Sequence, residues 1–140
     1  MTSTISTTKM ISAIVVTHGR LAEEFIATAE KIYGSFKGVY AVSNEDKSPQ
    51  ALASDVDAII DAGGLDDSFV ILVDFLGGSC GHATLSVERR RRNVRVVSGV
   101  NLPMLLAFLN KRADVSFERL PAELASRGRD SIHAVDADQL

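Results

Sequence analysis

Four short runs rich in valine and isoleucine constrain the fold of this chain more than any other feature. They are SAIVVT (Ser12–Thr17), GVYAVS (Gly38–Ser43), FVILVD (Phe69–Asp74) and VRVVSG (Val94–Gly99). The first and third are nearly all apolar, which suits central parallel strands covered on both faces. Helical patterns separate the runs. Leu21, Phe25, Ala29 and Tyr33 recur every four residues with Ala22 and Ile26 beside them, and Leu52, Val56, Ile59 and Ile60 repeat the pattern. Asn44 to Pro49 reads as a strand-to-helix loop. A third helix is expected from near Gly78 to near Arg92, with Cys80, Ala83, Thr84 and Val87 facing inward. Asn101–Arg112 is a strongly apolar helix whose Pro103 fits the first turn. Phe117, Leu120 and Leu124 mark another, ending near Arg127 and Gly128. Strand and helix thus alternate four times, which predicts an open, doubly wound α/β sheet.

With 140 residues the chain makes one ordinary domain, expected over residues 12–140 and preceded by a loose, disordered tail over residues 1–11. Hydrophobic residues make up 46% and charged residues 24%, as in a soluble globular protein. The net charge of −3 supplies no global positive field for nucleic acid or anionic lipid. The tempting ERRRRN run (Glu88–Asn93) ends a helix, where the dipole itself favours arginine. The single cysteine, Cys80, permits no internal disulfide, which fits a reducing compartment. No run approaches the roughly 18 apolar residues of a membrane span, and the polar N-terminus lacks the apolar stretch of a signal peptide. A cytoplasmic protein is expected.

In a doubly wound sheet, ligands gather at the carboxyl ends of the strands where the strand order reverses. His18 follows the first strand and Asp74 ends the third. In a 2-1-3-4 order these two ends are neighbours. A neutral histidine keeps one bare ring nitrogen that can attack a phosphoryl group, and a carboxylate on the other nitrogen fixes the tautomer and stabilises developing charge. The following Gly77-Gly78-Ser79 opens the third helix, where glycines allow close approach and the helix end offers free N–H groups to an anion. Ser79 can cap that helix or donate to a phosphate; Asp74 can orient the histidine or merely cap. Taken singly, a histidine after a strand is ordinarily a loop residue, and Gly-Gly is ordinarily a tight turn. Their coincidence at adjacent strand ends sets the functional reading level with the ordinary one. Gly19, lacking a side chain, lets a partner come close to His18. No P-loop motif occurs. Cys80 reads as core, His82 as a solvated surface residue, and His133 has no visible partner.

At these residues the sequence resembles the IIA component of the mannose-type bacterial sugar phosphotransferase system. The matching pieces are IVVTHGRLAEEFIATAEKIYG (Ile14–Gly34), ILVDFLGGS (Ile71–Ser79) and VVSGVNLPMLLAFL (Val96–Leu109), in the family's order and spacing. The resemblance implies a phosphocarrier with transient phosphohistidine. The phosphorylated histidine falls on His18, its aspartate partner on Asp74, and the surrounding phosphate pocket on Thr17, Gly19, Gly77, Gly78 and Ser79. It implies a phosphoryl donor, the phosphocarrier HPr, charged ultimately from phosphoenolpyruvate, and a IIB acceptor. It also implies a homodimer, a mostly parallel sheet of four core strands completed by an exchanged edge strand, and no metal or other cofactor. Nucleic acid is not an expected partner, and the membrane is reached only through the transporter complex. Leu76 and Cys80 stand where the family often has an aromatic residue and a proline, and Gly81-His82 are also unusual; these differences fall on the expected docking face. Since the sequence shows no IIB part, the acceptor is expected to be a separate protein. A regulatory phosphoprotein of an incomplete system is the alternative, and a small-molecule or hydrolytic α/β domain using the same pocket is a more distant one.

Overall fold

The structure, a computed structural model, describes residues 10–139. The elements run β1 (Ile11–Thr17), α1 (Leu21–Tyr33), β2 (Val39–Ser43), α2 (Pro49–Asp61), β3 (Ser68–Val73), α3 (Gly78–Arg90), β4 (Val94–Ser98), α4 (Leu102–Lys111) and α5 (Leu120–Asp130), with a short 3-10 turn over Ala137–Gln139. The strands pair in the order β2-β1-β3-β4, and every pairing is parallel. From β1 the chain steps outward to β2, then returns across β1 to β3. The carboxyl ends of β1 and β3 therefore flank the point where the winding reverses, which sets the place of the site.

Side chains alternate across the pleat and build two cores. Ala13, Val15, Val70, Leu72 and Val97 pack on one face beneath Ala22 and Ala29 of α1, Leu105 and Phe108 of α4, and Leu120 and Leu124 of α5. Ile14, Val16, Val42, Ile71 and Val73 pack on the other beneath Leu52, Val56 and Ile60 of α2 and Cys80, Ala83 and Val87 of α3. Fully burying an aliphatic or aromatic side chain of this size stabilises the fold by about 1.5–3 kcal/mol. This double coverage explains why the β1 and β3 sequences are apolar on both faces.

Several details differ from the sequence expectation. The body starts earlier than the expected tail allows: Met10 O accepts from Ser68 N at 3.0 Å, and Ile11 already pairs with Ser68. The rest of that tail, residues 1–9, lies outside the described residues. Helix α3 stops at Arg90, because Arg91 turns to an extended conformation (φ −129°, ψ 138°). Gly128 does not end a helix. It lies within α5, where a Cβ would stand 2.8 Å from Met104 Cε of α4. The sheet is wholly parallel, and the expected edge strand is not found among the described residues. The segment after α5 pairs with neither sheet edge and leaves Ile132 and Val135 exposed. Among the described residues no helix is long and apolar enough to cross a membrane.

Candidate phosphoryl-transfer site

Parallel pairing puts Thr17 and Val73 at adjacent strand ends, so the next residue of each strand, His18 and Asp74, meet across the crevice. The contact is double. Asp74 Oδ2 accepts from the His18 backbone N–H at 2.9 Å and also lies 2.9 Å from His18 Nδ1. Asp74 Oδ1 accepts from the Phe75 N–H at 2.9 Å. Burial by itself would raise the pKa of Asp74. It nevertheless lies below its ordinary 3.8, because the backbone and ring of His18 and the backbone of Phe75 donate to the carboxylate, and charge on the ring favours it further. An ionised carboxylate can only accept. In the neutral ring, Nδ1 therefore carries the proton and Nε2 keeps its lone pair. The His18 side chain is 37% exposed against 11% for Asp74, so the acid is sheltered while the base is reachable.

Helix α3 faces the free nitrogen. Its N-cap is Gly77, with no side-chain cap, so the first N–H groups of the helix are not taken by a capping side chain. Gly78 has φ +71°, and a Cβ there would stand 3.7 Å from His18 Nε2. This glycine both permits the turn and leaves room beside the nitrogen. Ser79 lies inside the first turn and does not cap α3; its hydroxyl meets Asn44. The result is a bare, fixed imidazole nitrogen against a helix N-terminus, an arrangement suited to a group that gains negative charge.

Of the other residues anticipated, Gly19 stands beside His18 with φ +57° and open space where a side chain would project. The Thr17 side chain is fully buried, and its hydroxyl accepts from Ala22 N at 2.7 Å, so it anchors the start of α1. Cys80 Sγ approaches His18 Nδ1 at 3.7 Å from below. Burial and the charge of Asp74 push its thiol up to about 11, which keeps it protonated and a weak nucleophile near neutral pH. Among the described residues, His18, Asp74 and Cys80 are the group that could hold a metal, with one ligand atom from each within 4.8 Å of the others. His82 and His133 are exposed and take no part in the His18–Asp74 contact.

Two site residues escaped the sequence reading. Phe75 stacks on the His18 ring, with centroids 4.7 Å apart and planes 10° apart. Asn44 accepts from Gly19 N at 3.3 Å and donates to Ser79 Oγ at 3.3 Å. Its one legible signal was position: it directly follows β2, which neighbours β1 at the same end of the sheet.

The family model EIIA-man, described as the PTS system fructose IIA component, matches residues 12–125. The chain is 30% identical over 129 residues to the mannose-specific EIIAB component of Escherichia coli (strain K12), covering 91% of this chain and 40% of that protein. It therefore spans well under half the length of that relative. It is 26% identical over 111 residues to the sorbose-specific EIIA component of Klebsiella pneumoniae, covering 79% of this chain and 82% of that one. The fold matches the crystal structure of a phosphotransferase system component EIIA from Streptococcus agalactiae with a TM-score of 0.82, at 21% identity over 94% of this chain and all of that chain. The fold and the sequence agree: the chain belongs to the mannose-type IIA family of the sugar phosphotransferase system.

Proposed function

We propose that this protein is a cytoplasmic phosphocarrier that receives a phosphoryl group on His18 Nε2 from phospho-HPr and passes it to a IIB component. The observation that carries this reading is the 2.9 Å contact between His18 Nδ1 and Asp74. It commits one nitrogen to the carboxylate and leaves the other free. In the forward step, the Nε2 lone pair attacks the phosphorus of the donor's phosphohistidine. The new N–P bond forms as the donor's N–P bond breaks, and the donor imidazole leaves with the electron pair. The proton on Nδ1 stays there, and Asp74 stabilises the positive charge that builds on the ring. Gly77, Gly78 and Ser79 at the start of α3 receive the phosphoryl oxygens, while Gly19 leaves space for the donor. Thr17 supports this site from beneath by holding α1. The IIB acceptor then repeats the attack in the reverse sense. No metal enters this scheme.

The test is label transfer from phosphoenolpyruvate through the first enzyme of the system and HPr. The label should be acid-labile and base-stable, as for a phosphoramidate, and absent from His18→Ala. Label persisting in that variant would transfer the assignment to His82 or His133. Onward transfer to a IIB protein separates a transport carrier from a regulatory phosphoprotein.

A further inference from the structure

We infer that Asn44 is a positioning residue that fixes the hydrogen-bond polarity of Ser79, reserving the serine proton for a phosphoryl group on His18. The inference rests on the proposed phosphorylation of His18. Asn44 is held by its own backbone, whose N–H donates to Thr17 O at 3.1 Å, so the side chain starts from the end of β1 as well as β2. Its amide spans two loops, 3.3 Å from Gly19 N and 3.3 Å from Ser79 Oγ. The Gly19 N–H can only donate, so the amide oxygen must face it. The amide nitrogen then faces Ser79 and can itself only donate. Ser79 Oγ is thereby forced to accept, and its O–H is left to turn elsewhere. Ser79 directly follows Gly78, which borders Nε2 of His18. A phosphoryl group there brings strong acceptor oxygens and negative charge, for which a reserved hydroxyl proton is a matched donor.

This chain of donors and acceptors predicts an order that a mere loop tie does not. Asn44→Asp keeps the shape but turns both ends into acceptors. Its carboxylate accepts a hydrogen bond from the Ser79 O–H, which turns that donor away from the phosphoryl group, and it places a negative charge nearby. Asn44→Ala only frees the serine to rotate. The experiment measures the initial rate of phosphorylation by phospho-HPr and the melting temperature for the wild type, both Asn44 variants, Ser79→Ala and the Asn44→Ala/Ser79→Ala double variant. Asn44→Asp should lose about tenfold or more in rate, the scale of one charge-assisted hydrogen bond. Asn44→Ala should lose less, and nothing further in the Ser79→Ala background. Equal losses in both Asn44 variants, or an undiminished Asn44→Ala effect without Ser79, would overturn the role of Asn44 while leaving His18 as carrier. An unlabelled wild type would overturn both. Melting temperatures separate misfolding from loss of transfer, and the double variant carries the decision if Asn44→Asp unfolds.

Discussion

Asp74 holds His18 at two points, the backbone N–H and ring Nδ1, through a single oxygen. A neutral amide in its place keeps the size but loses the charge that favours a positive ring. Asp74→Asn is expected to forfeit a charge-assisted hydrogen bond of about 1.5–3 kcal/mol, which corresponds to a roughly tenfold to hundredfold slower transfer. Stopped-time labelling at matched protein concentration checks this; an unchanged rate would reduce Asp74 to a structural cap. The same residue has a pH signature. Its folded pKa is depressed below 3.8, so its contribution to stability is fully present above the unfolded value and is lost as pH falls through the folded one. The melting temperature of the wild type should therefore fall more steeply below about pH 4 than that of Asp74→Asn. At this scale the sequence revealed the pair itself, because strand ends and residue types are both readable. It did not reveal that Phe75 would stack on the ring or that Asn44 would bridge two loops. Those contacts depend on side chains meeting across the crevice, which no local periodicity encodes. Thr17 shows the converse case. It is adjacent in sequence to His18, yet its side chain points inward and serves a helix end.

The central strands were legible because β1 and β3 are buried on both faces and are apolar but for Ser12, Thr17 and Ser68. Helix ends were less legible because tertiary contacts set them. Arg90 and Arg91 at the end of α3 reach across to α2. Arg90 Nη2 lies 2.9 Å from Asp57 Oδ2, and Arg91 contacts both Asp57 and Asp61 at 2.9 Å. The extended backbone of Arg91 ends α3 two residues before the sequence pattern does. The same pairing accounts for half of the arginine run without any nucleic acid: two of its four charges are met by acids of the neighbouring helix. Asp57→Ala removes the shared acceptor of both arginines. It is expected to lower stability by about 1 kcal/mol, less at high salt, with phosphorylation of His18 unchanged. Urea denaturation at two ionic strengths measures it. A loss that does not shrink with salt would mean that the contact acts through packing rather than charge.

The molecule as a whole leaves the outer edges of β2 and β4 without a neighbouring strand in the described chain. It also leaves Ile132 and Val135 exposed beyond α5. Open edges and exposed apolar residues suit the homodimer that the resemblance to the family implies. The strongly apolar α4 adds no such support, since its Met104, Leu105, Phe108 and Leu109 are buried within one chain. Light scattering at micromolar concentration should return twice the chain mass, and a monomer mass would contradict the dimer. The proposed transfer depends on the whole molecule presenting one nitrogen of His18 outward while holding the other. The most direct measurement is long-range proton–nitrogen NMR of the histidine-labelled protein before and after phosphorylation by phospho-HPr. It should show one new nitrogen–phosphorus coupling, on Nε2 of His18, with Nδ1 still protonated. A coupling on Nδ1, or on another histidine, would contradict it.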